Sequence, residues 1–142
     1  LKEENVIDTL NEFLRGQYMG IRSYEHFIEK LDDGLIKKQF QTMQQEHKQH
    51  ALHVAERIQN LGGTPVSSEG IVGSVQGFIS QFQIPDTTEG IIESAKKGES
   101  YYGIGKSEEI VRGDLDQESR QLIEKILDKD RQHVQILKDM LH

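Results

Sequence analysis

Four long stretches of the chain repeat apolar residues at alternating spacings of three and four, the period at which one face of an α-helix returns. The first, about residues 5–31, carries Ile7, Leu10, Leu14, Ile21, Tyr24, Ile28 and Leu31, interrupted by Gln17 and widened by Val6, Phe13 and Phe27. Asp32-Asp33-Gly34 is a turn so short that the next helix must return antiparallel. The second stretch, residues 35–61, carries Ile36, Phe40, Met43, Val54, Ile58 and Leu61, with His47 and His50 in the same stripe. Gly62-Gly63-Thr64-Pro65 stops it.

Residues 62–87 are too long for a tight turn. Ile71, Val75, Phe78 and Phe82 share one face of a short amphipathic piece, which predicts a crossover helix over one end of the core, ended by Pro85. Asp86 is the expected N-cap of the third helix, with Glu89 three residues on. That helix, residues 87–112, has the least regular stripe: Ile92, Ala95, Glu99, Tyr102 and Ile110. Gly98, Gly103 and Gly105 weaken it as an isolated helix and are expected to let another helix approach closely. After Gly113-Asp114, residues 116–141 carry Ile123, Ile126, Asp130, His133, Leu137 and Met140, flanked by Leu127, Val134 and Leu141. The pattern predicts an all-α fold: an antiparallel four-helix bundle with a short crossover helix between helices two and three, as one domain over residues 1–142. A shift of 83 residues lays Tyr18, Gly20, Ile21, Glu25, Gln49 and His50 on Tyr101, Gly103, Ile104, Glu108, Gln132 and His133, pairing the first helical hairpin with the second.

Every helix interrupts its stripe near the middle with polar residues: Gln17 on the first, His47 and His50 on the second, Glu99 and Tyr102 on the third, Asp130 and His133 on the fourth. In an antiparallel bundle these midpoints share one height, so the groups are expected to converge in the core. A buried carboxylate without a partner is costly. Two solutions stay open: the groups satisfy one another by hydrogen bonds and ion pairs, or a cation satisfies them. Taken alone, a seam histidine reads as a hydrogen-bonded core residue and Gln17 as a register-setting one. Coincidence across four helices points to a metal site. The i, i+3 spacing of His47 with His50 and of Asp130 with His133 lets each pair grip one ion. His26, His53 and His142 fall off the stripes and read as solvated, whereas Glu46, at the seam edge, reads as a surface glutamate within reach of a metal.

Composition narrows the classes. The net charge of −7 makes nucleic acid and anionic membranes poor partners. The absence of cysteine excludes disulfides, zinc ribbons, iron–sulfur clusters and thiol catalysis, and fits a cytoplasmic protein. No apolar run approaches the ~18 residues of a membrane span, and LKEENVIDTL does not read as a signal peptide. Hydrophobic residues at 35% and charged residues at 29% fit a globular chain with a solvated surface.

The segment His50-Ala51, Glu56-Arg57-Ile58, Leu61, Gly63 and Pro65 resembles the end of the second helix in bacterioferritins, where a ligand histidine precedes Ala, Glu-Arg-Ile and a Gly-x-Pro turn. Asp130-Arg131-Gln132-His133 resembles the Glu-x-x-His of the fourth helix in the same ferritin-like superfamily. Lys97-Gly98-Glu99 and Arg15-Gly16-Gln17 resemble the Gly-Glu of rubrerythrins. The resemblance implies a four-helix bundle with a di-iron carboxylate site that oxidises ferrous iron with oxygen or peroxide. Carried over by position, the metal ligands would be Gln17, His47, His50, Glu99, Asp130 and His133, with Tyr102 and Glu46 beside them as hydrogen-bonding neighbours.

The departures from that pattern define a different site. The family supplies four carboxylates and two histidines; here Gln17 and His47 replace glutamates, and Asp130 is a shortened one. Two carboxylates would leave a pair of divalent ions only half neutralised, so three imidazoles with a carboxylate suit a single Fe, Zn or Mn ion better. Lys48 stands where bacterioferritins carry the haem methionine, so no haem is expected. A fifth helix like that of ferritin cages is not expected after the fourth, which leaves a storage shell without support from the sequence. The expectation is a ferritin-like metal-binding protein in iron or stress handling, oxidising iron slowly if at all. The alternative is a non-enzymatic, stress-associated structural or partner-binding bundle with a relict site. A homodimer or larger homo-oligomer is expected, with Phe78 and Phe82 as candidate contacts.

Overall fold

The computed structural model describes residues 3–68 and 84–141, with the side chain of Tyr102 outside the description. Helices α1 (Glu3–Lys30) and α2 (Gly34–Asn60) form the first hairpin. The second begins with α3 (Thr88–Lys97), which runs without a break through a π-helical stretch (Gly98–Ile104) into α4 (Gly105–Val111). These three pieces are the third helix of the bundle. Helix α5 (Gln117–Met140) is the fourth, and the described residues contain no strand. The chain is an antiparallel four-helix bundle, as its stripes predict. No helix among the described residues is long and apolar enough to cross a membrane. The expected crossover helix at Ile71–Phe82 lies outside the described residues.

Local chemistry sets the helix ends. Asp33 caps α2 by accepting from the amides of Leu35 (3.0 Å) and Ile36 (3.1 Å). The far end of α2 closes on Gly62, whose φ of 86° lies in the left-handed region that glycine tolerates. The Gly63 amide then donates to the Ile58 carbonyl at 2.9 Å. A Cβ at Gly63 would sit 2.7 Å from the Ile7 side chain, so the stop after α2 also needs glycine for close packing on α1. Asn11 holds the segment leaving α2 by donating to the Thr64 carbonyl and accepting from the Val66 amide. The cap of α3 departs from expectation. Thr87, not Asp86, accepts from the Gly90 amide at 3.0 Å. Asp86 instead pairs with Lys30 at 3.1 Å, and Lys30 also donates to the Ile84 carbonyl, tying the end of α1 to the entry of the third helix.

The core divides into two apolar clusters. Leu10, Phe13, Leu14, Val54, Ile58, Ile123 and Leu127 belong to the first. Tyr24, Phe27, Phe40, Met43, Ile91, Ile92 and Leu137 belong to the second. Between them in sequence, on all four helices, lie the buried polar residues Gln17, His47, Glu99, Asp130 and His133. Arg57 joins the hairpins: its guanidinium reaches Asp116 (2.7 Å), Ser119 (3.0 Å) and Glu118 (3.0 Å) at the start of α5.

Two features of the third helix correct the sequence reading. Its stripe is irregular because the π stretch fits more residues into a turn, moving every later residue around the axis. Ser107 is therefore buried while Ile110 is only half-buried. Its glycines do not seat a tightly packed neighbour either. A Cβ at Gly98 would meet nothing within 4 Å, and those at Gly103 and Gly105 would meet only carbonyl oxygens of the same helix at 3.8 and 3.6 Å.

Candidate metal centre

Gln17 lies seven residues from both Leu10 and Tyr24 on α1, so the period that buries them buries its amide as well. His47 takes the corresponding place on α2, and Asp130 and His133 lie on one face of α5. Glu99 enters from the first turn of the π stretch. One ligand atom from each of His47, Glu99, Asp130 and His133 lies within 4.8 Å of the others, and all four residues are buried. The ring centroids of His47 and His133 are 5.0 Å apart.

The contacts define an ordered cluster. Gln17 Oε1 lies 3.3 Å from His47 Nδ1. A carbonyl oxygen can only accept, so Nδ1 carries the hydrogen. His47 Nε2 then faces Glu99 Oε1 in close contact. A ring lone pair and a carboxylate oxygen repel each other, so a proton or a cation belongs between them. His133 Nδ1 is 3.3 Å from Glu99 Oε2 and 3.9 Å from Asp130 Oδ1, while Asp130 Oδ1 is 3.7 Å from His47 Nδ1. Despite these approaches, Glu99 Oε2, Asp130 Oδ1 and His133 Nε2 have no hydrogen-bond partner. Buried polar atoms left in this state are costly, and a cation would satisfy acceptors from two helices together.

The protonation states follow from burial and neighbouring charge. Burial, the largest influence, disfavours charge on His47, but Glu99 and then Asp130 outweigh it and raise the imidazole pKa. Burial also opposes charge on Glu99, yet His47 and His133 bring its pKa well below the usual carboxylate range. Asp130 is raised, first by burial and then by repulsion from Glu99, against the attraction of His47. The environment separates the two carboxylates: Glu99 holds its charge, whereas Asp130, raised to about 7, exchanges its proton near neutral pH.

His50 stands apart from the four. It is half-buried, its Nδ1 has no partner, and its ring centroid lies 6.0 Å from that of His47. Burial, then the positive fields of His47 and His133, lowers its pKa to about 4. Glu46 bridges outward, 3.6 Å from His133 Nε2 and 2.9 Å from Lys129 Nζ. It is therefore a paired, half-buried neighbour of the cluster rather than a free surface carboxylate. Tyr102 was expected beside the ligands; its side chain lies outside the described residues. His26 and His53 are exposed, as their positions off the stripes predict.

Tyr24 is the residue the stripe concealed. It reads as one more apolar position, yet its ring is 5.5 Å from that of His47. Burial, followed by the charge and hydrogen bonding of Glu99 and then Asp130, raises its pKa well above the ordinary phenol value, so it stays neutral. The available signal was its place two turns from Gln17 on the same face.

A family model described as a domain of unknown function, DUF2383, matches residues 5–112. No curated protein matches the sequence. Among solved structures, the chain is similar to the dodecameric thioferritin of Bacteroides fragilis, a bacterioferritin-related protein, with 20% identity and a TM-score of 0.74 over 99% of this chain and 86% of that one. The fold is ferritin-like, and the buried His/Glu/Asp cluster fits a metal-binding member of it.

Proposed function

The chain belongs to the DUF2383 family, and we propose that it is a ferritin-like metal-binding protein that handles iron, in oxidative or general stress, at a carboxylate-poor centre in the bundle core. One observation carries the reading: His47, Glu99, Asp130 and His133 gather ligand atoms within 4.8 Å in a buried layer, and each carboxylate keeps an oxygen without a partner. Two imidazoles and two carboxylates neutralise one divalent ion, and the donor set suits Fe, Zn or Mn. Gln17 would orient His47 through Nδ1. His50, beside the four, would add a third imidazole.

Bound iron would supply redox chemistry toward oxygen or peroxide. The chain's own part is to hold charge and exclude water. Glu99 provides a permanent negative charge, Asp130 releases its proton when a cation arrives, and neutral Tyr24, its hydroxyl donating to Met43 Sδ at 3.9 Å, closes one side. With two carboxylates the centre compensates a ferric product poorly, so oxidation of ferrous iron should be slow. The reading includes a homodimer or larger homo-oligomer, supported by the dodecameric assembly of the thioferritin and by Leu35, Leu52 and Tyr101, which are exposed here at 81%, 62% and 70%.

A second reading is favoured by the close His47–Glu99 contact and the raised His47 pKa. A proton can take the cation's place there, leaving a relict site as a structural polar network. Following ferrous oxidation by oxygen and by peroxide, for the native chain and for His47→Ala, tests the first reading. Slow oxidation that disappears in the variant is expected; equal rates in the two proteins contradict any redox role for the centre.

A further inference from the structure

A cavity of ≈ 290 Å³ opens between α1 and the third helix, lined by Gly16 and Gly20 on one side and Gly98 and Gly103 on the other. Its floor includes Gln17, His47, Glu99 and Asp130. Added Cβ atoms at Gly16, Gly20 and Gly98 would meet nothing within 4 Å, so the missing side chains are what leave the space open. Phe13, Met19, Phe27, Ala95 and Ile110 make the walls mostly apolar.

The volume bears on what enters. It matches roughly ten waters, each taking about 30 Å³ of the liquid, far more than dioxygen or peroxide needs, and close to the ~300 Å³ at which pockets for small organic ligands begin. Away from the floor, Glu12 is the one carboxylate among the lining residues, beside the cations Arg15 and Lys106, so the lining does not present the row of carboxylates that a metal-ion entry path would. The floor differs from the walls: Glu99 and Asp130 are 7% and 2% exposed, and each carries a carboxylate oxygen with no hydrogen-bond partner.

We propose that this cavity is a binding site for a small neutral organic molecule with an apolar chain and a hydroxyl head group, the chain lying along the glycine-lined walls and the head reaching the Glu99–Asp130 floor. Placing the head beside a metal rests on the function proposed above. Seating the chain does not, because in metal-free protein the free oxygens of Glu99 and Asp130 accept from the hydroxyl, and with a metal held there the head group meets the ion instead.

The probe is 1-octanol, titrated by calorimetry into metal-free and metal-supplemented native protein and into Gly20→Leu. The leucine fills the cavity from a helical position where a Cβ has open space, and it favours the helix, so the variant should fold with an unchanged or higher Tm. Saturable one-to-one binding to the native chain in both forms, weakened at least tenfold in Gly20→Leu with metal content unchanged, is the expected result. Absence of binding to both native forms, or equal binding to native and variant, overturns the proposal. So does a variant that alters the oligomer by sizing while binding octanol normally, since the opening would then be a contact between copies. If neither protein takes up metal yet octanol binds as expected, the metal reading fails and the organic site stands.

Discussion

His47 presents Nε2 to the Glu99 carboxylate while its Nδ1 lies 3.3 Å from the side-chain oxygen of Gln17. Three helices thereby fix one imidazole in orientation and tautomer. The charge on that ring depends on Glu99, because burial alone would keep it neutral. In metal-free protein, His47 should titrate above the ordinary value of 6.5, and in Glu99→Gln below it, with burial then opposed only by Asp130. The stability linkage reverses sign with it. A raised His47 pKa contributes stability that is full below 6.5 and is lost as pH rises through the folded value; a lowered one contributes stability that is lost as pH falls. Histidine ring resonances followed against pH by NMR would show the crossing, and a His47 titration unmoved by the substitution would mean that Glu99 does not set its charge.

His50 predicts an acid-side loss of stability. Its folded pKa of about 4 lies below the ordinary value of 6.5. Its contribution is therefore present above 6.5 and disappears as pH falls from there toward 4. Urea unfolding at pH 7 and at pH 4.5 should show a smaller acid-induced loss for His50→Gln than for the native chain. An identical loss in both would remove His50 from the acid response.

Arg57 should contribute strongly for a side chain so near the surface. It spans from the last turns of α2 to Asp116, Glu118 and Ser119 at the start of α5, with only 15% of its side chain exposed. Several charge-assisted bonds in one partly buried fork are worth about 1.5–3 kcal/mol. Arg57→Ala should cost about 2 kcal/mol in chemical denaturation, and Arg57→Lys should recover only part of it, because an ammonium cannot reproduce the fork. A loss below about 0.5 kcal/mol would make the contact an ordinary surface pair.

A divalent cation that binds the folded chain should also stabilise it. At a free concentration one hundred times Kd the gain is about 2.7 kcal/mol, which for a chain of this size moves Tm upward by roughly 8 °C. Ferrous, zinc and manganous ions, added separately under anaerobic conditions, should each raise Tm at pH 7, with the shift shrinking as pH falls through the raised His47 value, which lies above 6.5. Magnesium, which prefers oxygen ligands, should do little by comparison.

Much of this was legible in the stripes. Their period, the Asp32-Asp33-Gly34 turn and the Gly62-Gly63 stop predict the bundle, and the polar interruptions name every residue of the buried four. The rest depends on geometry that spacing does not carry. His47 and His50 are three residues apart, about 60° around the helix, so a seam centred on His47 leaves His50 half-buried. On α5 both Asp130 and His133 lie within the buried face. The Gly98–Ile104 stretch reads as a poor α-helix because it is a π-helix, a register change with no simple periodic signature. Tyr24 was concealed by its hydrocarbon ring. The glycines of α1 and the third helix can line a close packing or an opening with equal ease, and only the facing side chains decide which.

Elemental analysis of the native chain, purified without chelators beside Asp130→Ala, tests the buried centre most directly. A metal centre built from His47, Glu99, Asp130 and His133 predicts close to one transition-metal ion per native chain and a large loss of it in the variant. Native protein without stoichiometric metal, or equal metal in both proteins, would contradict it.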